Sequence, residues 1–415
     1  MVTYRSINIF SHFMKKVVSG ILLIFSVLGG IFVVLLIAEL GLRLTRYEKK
    51  DVPWVNDGMT FFNIQPERIY SLNSDAEFSR DGVGGEYYKT DSYGFRYNPG
   101  HEVYETPDLT IIMVGDSFTY GVGNGFGVRH EVAYPARVEA ILREKGIQAA
   151  VHNAGVPGYG PDQEFIYMKN TLIPEYKPDL IVWNLSANDV NDSNLTCLFR
   201  EQNGMFHQIS GRRNTLYLQG LLVKHAYRFL KDFSLYNLLL YAPNAVSNTD
   251  RFTFGCSYSE DQSEEILHDQ FSRKMKFFLA ELDELARQEQ FRLLVTLAPF
   301  QDYFTLPHLD DNLYADYRFL KKTLSDSGIV YVDVNELLAL YDEQELVSCP
   351  SDAKDCVSKE LNSNVLGASS ADMSMTIFLE DDQFGNAHLN TLGNELFAQV
   401  VYETIAEQSD EMLSP

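Results

Sequence analysis

The strongest structural constraint in this sequence is a short apolar run that ends directly in a glycine, an acid and a serine. Residues 109–123 read LTIIMVGDSFTYGVG, and only Thr110 interrupts the apolar side chains before Gly115. Such a run is typical of a strand buried on both faces, as in a parallel sheet. The strand would place Asp116 and Ser117 beyond its carboxyl end, where ligands bind in open α/β sheets. The sequence therefore predicts an α/β domain with a candidate site at Ser117.

The glycine spacing excludes two phosphate-binding interpretations of this turn. A P-loop needs glycine five residues after Gly115 and then lysine, but the chain has Tyr120 and Gly121 there. A dinucleotide-binding turn starting at Gly121 would need a glycine where the chain has Phe126. The structural alternative for Asp and Ser at this point is a helix N-cap, which both residues commonly provide.

Helical and strand patterns alternate downstream of Ser117. The predicted helices cover 134–145, 162–172, 263–288, 313–325 and 390–408, and the predicted strands cover 149–153, 180–185, 292–298 and 329–334. This alternation implies a mostly parallel sheet with helices on both faces. The regular pattern is interrupted near 191–262, which encloses an apolar helical stretch at 216–240, and near 345–375. Both segments are interpreted as insertions.

An uncharged apolar stretch of 22 residues at 17–38 predicts a transmembrane helix. At 1.5 Å per residue it spans roughly 33 Å, enough for a bilayer core. A cleaved signal peptide is the alternative, but its apolar region is usually ~7–15 residues and ends at a small-x-small site. We therefore expect a tail at 1–16, an uncleaved anchor at 17–38 and a juxtamembrane lead-in at 39–104. Basic residues flank both ends of the stretch, so the positive-inside rule does not give the orientation.

Charge and cysteine content restrict the possible partners and compartment. A formal net charge of −23 argues against nucleic acid as a partner and against adsorption to anionic lipid. The four cysteines all follow the apolar stretch and fit two disulfides, Cys349 with Cys356 and Cys197 with Cys256. Four unrelated thiols in a cytosolic domain remain the alternative. We expect the main domain to lie outside the cytoplasm, and no metal or cofactor site is predicted because CxxC and metal-like histidine spacing are absent from the sequence.

Three further polar segments follow predicted strands or precede the last helix. They carry Gly155 in NAG, Asn188 in SAND and His388 in FGNAHLN. Together with Ser117 in GDS, these four segments resemble, in the same order, the four blocks of the SGNH (GDSL) hydrolase superfamily. The resemblance covers roughly 110–405. It implies a flavodoxin-like three-layer sandwich, the SGNH hydrolase fold, over 105–410.

The resemblance also implies roles for these residues. Ser117 would attack an ester carbonyl, and His388 would accept the serine proton and return it to the leaving alcohol. The oxyanion hole would consist of the Ser117 N–H, the Gly155 N–H and the Asn188 side-chain amide. Taken singly, Gly155 and Asn188 fit ordinary turn residues and His388 fits a helix cap.

The sequence departs from the family pattern before His388. Family members usually carry an aspartate three residues earlier to orient the histidine, and this chain has Gly385 there. The nearest upstream carboxylates are Asp381 and Asp382. We expect Asp382 to orient His388, with a backbone carbonyl as the competing acceptor. In the second case the site is a Ser-His dyad.

The segment TDSYGFR at 90–96 resembles a lead-in seen in membrane-anchored members that are associated with bacterial envelope polysaccharides. The resemblance therefore implies an anchored serine esterase that removes O-acyl groups, O-acetyl in particular, from an envelope glycan. One alternative is an O-acyltransferase that uses the same Ser-His site to acylate a polysaccharide. The other is a non-catalytic glycan-binding or scaffold protein. The expected partners are an acylated carbohydrate or other ester and the membrane.

Overall fold

The computed structural model describes residues 3–45, 62–80, 83–101, 106–122, 128–196, 198–210, 233–235, 264–300, 312–340 and 388–409. The four cysteines lie outside the described residues, and so do Asp381, Asp382 and Gly385. The chain divides into two compact units, Met1–Asn56 with Leu221–Phe252 and Asp57–Gly220 with Thr253–Pro415.

The described secondary structure follows the alternation predicted from the sequence. The strands are β1 (Phe62–Gln65), β2 (Ile69–Leu72), β3 (Glu77–Arg80), β4 (Val83–Lys89), β5 (Leu109–Val114), β6 (Ala149–Asn153), β7 (Leu180–Leu185), β8 (Phe199–Gln202), β9 (Met205–Gln208), β10 (Arg292–Leu297) and β11 (Tyr331–Asp333). The helices are α1 (Thr3–Leu44), α2 (Ser117–Tyr120), α3 (Tyr134–Glu144), α4 (Pro161–Tyr167), α5 (Ile173–Tyr176), α6 (Asp189–Thr196), α7 (Glu264–Glu289), α8 (Asn312–Ser327), α9 (Val334–Leu340) and α10 (Thr391–Ser409).

Five parallel strands form the central sheet in the order β11-β10-β7-β5-β6. Counted along the chain, this is the 2-1-3-4-5 order of flavodoxin-like sheets. The chain leaves β5 toward β6 on one side and then returns to β7 on the other side. The topological switch point therefore lies between β5 and β7, where the crevice for a ligand forms.

The sheet is covered by helices on both faces, as the apolar strands require. Successive side chains of a strand point to opposite faces, so β7 contributes Ile181 and Trp183 to one core and Leu180 and Val182 to the other. The first core also contains apolar residues of α4, α7 and α8, and the second contains those of α3, α9 and α10. This arrangement confirms the predicted three-layer α/β fold with a mostly parallel sheet.

Several element boundaries differ from the sequence prediction in an informative way. The helix predicted at 162–172 continues as a π-helical segment, Met168–Leu172, and then as α5, which begins just before Pro174. The last strand is shorter than predicted because α9 starts directly after it at Val334. Part of the interrupted region near 191–262 is regular, since α6 extends to Thr196 and β8 and β9 form an antiparallel hairpin.

The segment before β5 builds two antiparallel hairpins, β1–β2 and β3–β4, within the same compact unit as the sheet. It also reaches the edge strand β6, because the Arg96 N–H donates to the Asn153 carbonyl at 2.9 Å. Phe95 is buried in the core beside His152, at 4.9 Å between ring centroids.

The helix α1 extends past the predicted end of the apolar stretch at residue 38. Its stretch Val18–Leu44 is long and apolar enough to cross a membrane. Glu39 interrupts the apolar run without ending the helix, since Glu has good helix propensity and pairs with Arg43 at 2.7 Å. Length and composition alone do not distinguish an anchor from a signal sequence.

Candidate active site

The turn after β5 carries Ser117 at the first residue of the short helix α2. The Asp116 side chain caps this helix by accepting the Phe118 N–H at 2.9 Å. Gly115 is required here because a Cβ at this position would lie 2.2 Å from Thr119 Oγ1. The strand end therefore turns sharply and leaves the Ser117 side chain partly exposed at the carboxyl edge of the sheet.

His388 lies against Ser117 although 271 residues separate them in sequence. Its Nε2 is 2.8 Å from Ser117 Oγ, its exposed fraction is 2%, and its ring contacts that of Phe118 at 4.8 Å between centroids. The helix that follows, α10, is fixed to α3 because Asn394 Oδ1 accepts the Tyr134 N–H at 3.0 Å. The pair can move a proton between hydroxyl and imidazole, as nucleophilic catalysis requires.

Gly155 packs directly on the backbone of α2. A Cβ on Gly155 would lie 2.4 Å from the Tyr120 nitrogen and 2.8 Å from the Thr119 carbonyl carbon. The Gly155 N–H donates to Asn153 Oδ1 at 3.0 Å, and the neighbouring Val156 N–H donates to the Gly115 carbonyl at 2.9 Å. Gly155 therefore lies against the helix that begins at Ser117, with its N–H hydrogen-bonded to Asn153.

Asn188 follows β7 and lies next to the same turn. Its Nδ2 donates to Asp116 Oδ2 at 3.1 Å and to Asp192 Oδ2 at 2.9 Å, and its Oδ1 accepts the Ser186 hydroxyl at 2.6 Å. Asp189 Oδ2 accepts the Ser186 N–H at 2.7 Å and so stabilises the turn that carries Asn188. All four residues singled out in the sequence therefore lie around the turn after β5.

Four acidic side chains lie close enough to interact electrostatically, two of them in contact with Asn188, and we call them the acid cluster: Asp116, Glu164, Asp189 and Asp192. Burial raises the pKa of Asp116, and burial with the nearby Asp116 charge raises the pKa of Asp192 to about 7. Burial also raises the pKa values of Glu164 and Asp189 well above their usual range. Glu164 Oε1 and Asp189 Oδ1 are buried without a hydrogen-bond partner among the described residues. Unpartnered buried oxygens favour the protonated form of a carboxyl group.

The lead-in reaches the site through Arg96, for which the sequence alone suggested no role. The buried guanidinium donates to the carbonyls of Tyr120, of Gly121 at 3.0 Å and of Val128 at 2.5 Å. Burial lowers the pKa of Arg96. These contacts tie the segment 90–96 to the loop that follows α2, so the lead-in supports the residues next to Ser117.

Sequence reasoning missed the acids that contact Asn188. The available signal was helical spacing, because Asp192 lies four residues after Asn188 and thus on the same helix face. The contact with Asp116 had no local signal, since it joins the ends of two strands. Among the described residues, no group of three or more His, Cys, Asp or Glu side chains is arranged to hold a metal ion.

Comparison with protein families matches residues 113–348 to the GDSL-like lipase/acylhydrolase family. No curated protein matches the sequence. The match includes the segments of Ser117, Gly155 and Asn188 and ends before His388.

Solved structures with a similar arrangement include three hydrolases. An acetyl xylan esterase, AlAXEase, is 14% identical, with 72% of this chain and 100% of that chain covered and a TM-score of 0.36. The lipase/acylhydrolase from Enterococcus faecalis is 14% identical, with 72% and 96% covered and a TM-score of 0.36. Axe2, an acetylxylan esterase from Geobacillus stearothermophilus, is 12% identical, with 72% and 94% covered and a TM-score of 0.35. At these identities and scores the likeness bears on neither substrate nor mechanism.

Proposed function

The chain belongs to the GDSL-like lipase/acylhydrolase family, and we propose that it is a serine esterase that removes O-acyl groups, O-acetyl in particular, from an envelope glycan. The observation that carries the proposal is the 2.8 Å contact between Ser117 Oγ and His388 Nε2 at the carboxyl edge of the sheet. Fold alone does not specify chemistry, whereas a nucleophile beside a buried base does.

In the first half of the reaction, His388 Nε2 takes the Ser117 proton while Oγ attacks the ester carbonyl carbon. The negative charge that develops on the carbonyl oxygen is stabilised by the Ser117 N–H, and by the Gly155 N–H and the Asn188 amide once these two donors are released from Asn153 Oδ1 and from their carboxyl partners. His388 then gives the proton to the leaving sugar oxygen as its bond to the acyl carbon breaks. An acyl-enzyme on Ser117 remains.

In the second half, His388 removes a proton from water while the water oxygen attacks the acyl carbon. His388 then returns this proton to Ser117 Oγ as the bond between Oγ and the acyl carbon breaks, which releases the carboxylic acid and free Ser117. The imidazolium that forms in each half lies near Asp116, and the positive charge of His388 offsets part of the rise that burial causes in the pKa of Asp116.

The acceptor that orients His388 is proposed to be Asp382, which lies outside the described residues. An imidazole base needs its second nitrogen held by an acceptor so that the correct tautomer faces the nucleophile. This role would require the chain before His388 to fold back, and glycine at position 385 would permit a tight bend there. A backbone carbonyl would leave a Ser-His dyad instead.

We further propose that α1 is a retained anchor and that the hydrolase unit lies outside the cytoplasm. Glu39, only 8% exposed, accepts the N–H groups of Ser234 at 3.0 Å and Leu235 at 2.7 Å. Removal of α1 as a signal peptide would take Glu39 with it and leave these two N–H groups without that acceptor. Alkaline phosphatase fused after Gly41 is expected to be active, and an active cytosolic reporter there would contradict the orientation.

The proposed substrate is an acylated envelope glycan, because the lead-in at 90–96 resembles that of anchored members associated with such polysaccharides and the anchor would hold the enzyme at the envelope. An O-acyltransferase would use the same site, with a sugar hydroxyl instead of water resolving the acyl-enzyme. Family members usually carry an aspartate where this chain has Gly385, and this difference favours the alternative of a non-catalytic glycan-binding protein.

The test gives the full chain in detergent micelles an activated acetyl ester, with and without a polysaccharide acceptor. We expect acetate release, covalent labelling of Ser117 by a fluorophosphonate, and loss of both in Ser117→Ala. Ser325→Ala, on the exposed face of α8, is the matched control and should retain both. Acetyl groups on the polysaccharide would identify a transferase. Neither turnover nor labelling would favour the non-catalytic alternative, and normal turnover in Ser117→Ala would refute the mechanism.

A further inference from the structure

The amide nitrogen of Asn188 lies between two carboxyl groups. A primary amide has two N–H groups, and the distances of 3.1 Å to Asp116 Oδ2 and 2.9 Å to Asp192 Oδ2 account for both. In this arrangement neither N–H is free for a substrate oxyanion. One of the two contacts must weaken before Asn188 can act as an oxyanion donor.

The two carboxyl groups are not equivalent. Asp116 is 1% exposed, it also accepts the Phe118 N–H at 2.9 Å, and its Oδ2 lies 3.0 Å from the Ser186 hydroxyl oxygen. Asp192 is less fully buried than Asp116, and its described side-chain hydrogen bond is the one from Asn188. The N–H that faces Asp192 is therefore the one that can be released.

Movement of α6 away from Asn188 is restricted on steric grounds, because Gly160 packs tightly against this helix. A Cβ on Gly160 would lie 2.8 Å from the Asp192 carbonyl carbon and 3.0 Å from Asp192 Cβ. The Asp192 N–H also donates to the Asn188 carbonyl at 2.9 Å, so the two residues are held in one turn. The contact between Asn188 and Asp192 can therefore be weakened by protonation of the Asp192 carboxyl group.

Building on the proposed ester hydrolysis, we propose that Asp192 controls the oxyanion donor: the ionised carboxylate retains the Asn188 N–H, and the enzyme turns over in the form in which Asp192 is protonated. An ionised Asp192 competes for the N–H and repels the developing oxyanion, and both effects raise the barrier. Protonation removes the repulsion and weakens the competing acceptor. Asp192 acts through Asn188 and is thus a positioning residue.

The surroundings of Asp192 give the direction of the pH dependence. The charged and titratable groups on the elements packed around it are Asp116 before α2, Asp162 and Glu164 on α4, Asp189 on α6, Tyr70 on β2, and Lys274 on α7, which pairs with Asp162 at 2.7 Å. Since burial and the Asp116 charge raise the pKa of Asp192 to about 7, ionisation occurs as the pH rises through neutrality. We therefore expect kcat to fall above that point.

The experiment measures kcat and KM of the full chain in detergent micelles from pH 5 to 9, in steps of roughly half a pH unit. Steps of this size resolve a decline in kcat that a single ionisation causes, which we call the falling limb. The Ser117→Ala rate is subtracted as background. Wild type should lose about tenfold in kcat per pH unit above the midpoint, whereas Asp192→Asn should show no falling limb and an unchanged KM. Glu164→Gln removes a buried acid that does not contact Asn188 and should retain the limb.

A readout that does not require turnover is the infrared carbonyl band of a protonated carboxyl group. A band that disappears as the pH rises through about 7 in wild type should be absent from Asp192→Asn. If Asp192→Asn does not fold, as judged by circular dichroism, Asp192→Ser replaces it.

The inference is overturned if the falling limb persists in the Asp192 variant, if Glu164→Gln abolishes the limb equally, or if the band is absent. Absence of ester turnover with the band present would instead refute the esterase proposal and leave the Asp192 protonation supported.

Discussion

Gly155→Ala tests whether the turn after β6 supports the nucleophile. The added Cβ would lie 2.4 Å from the Tyr120 nitrogen and 2.8 Å from the Thr119 carbonyl carbon, and both are backbone atoms of α2. Carbon contacts are normally about 3.5–4.0 Å, so the two segments must separate by roughly 1 Å. The loop cannot yield alone, because the N–H groups of Ala154 and Val156 are bonded to the end of β5 at 2.8 Å and 2.9 Å.

The displacement should therefore reach α2 and the Ser117–His388 contact. Overpacking of this kind costs about 1–3 kcal/mol of unfolding free energy. A misplacement of about 1 Å in a catalytic group can lower turnover on the order of 10²-fold. Alanine retains the backbone N–H, so the loss would come from geometry and not from a missing oxyanion donor.

The assay measures kcat on an activated acetyl ester together with the thermal midpoint of unfolding. Gly146→Ala is the matched control, since Gly146 has φ +83° and nothing lies within 4 Å of the position that an added methyl group would take. Its left-handed backbone should cost roughly 1–2 kcal/mol of stability without lowering kcat. If Gly155→Ala retains both wild-type kcat and wild-type stability, the steric argument is refuted.

Three further outcomes are expected. Asn188→Ala should lower kcat by about 10²–10³-fold, and by removing one donor from Asp116 and the described donor of Asp192 it should also cost about 1–3 kcal/mol of stability; normal specific activity in the folded variant would show that Asn188 is only a turn residue. Asp382→Asn should lower kcat on the order of 10⁴-fold, and activity within a few-fold of wild type would assign a Ser117–His388 dyad. The pKa of Asp192 is about 7 in the native state and near 3.9 in the unfolded state. Between these pH values the native state binds more protons than the unfolded state, so the free energy of unfolding falls as the pH rises through that window. Asp192→Asn should remove this fall, by at most about 4 kcal/mol, when urea unfolding is compared at pH 4 and pH 8.

Local sequence patterns were sufficient to predict which segments form the main strands and helices of the sheet domain. The run at 109–114 predicts a buried strand because an unbroken apolar sequence must be covered on both faces, and the structure has β5 at these residues. The run at 180–185 likewise forms β7. Boundaries were harder to predict where one element follows another without a turn residue, as at Val334, where β11 passes directly into α9.

The site was predicted only in part, because residue types at strand ends are visible in a sequence and their contacts are not. Ser117, Gly155, Asn188 and His388 could be named from their motifs, and the parallel sheet explains why they lie at one edge. The 2.8 Å contact of Ser117 with His388 depends on how α10 packs against α3.

The sequence by itself determined the alternation of helices and strands, the position of a serine beyond a buried strand, and the apolar stretch that forms α1. These follow from side-chain periodicity and turn chemistry, which act over a few residues. Only the tertiary structure decided that the Asn188 amide lies between Asp116 and Asp192, and that Arg96 supports the loop after Ser117. Such contacts join residues from different strands and loops, so they depend on strand order and register, and a linear pattern does not encode which buried acid will face which amide.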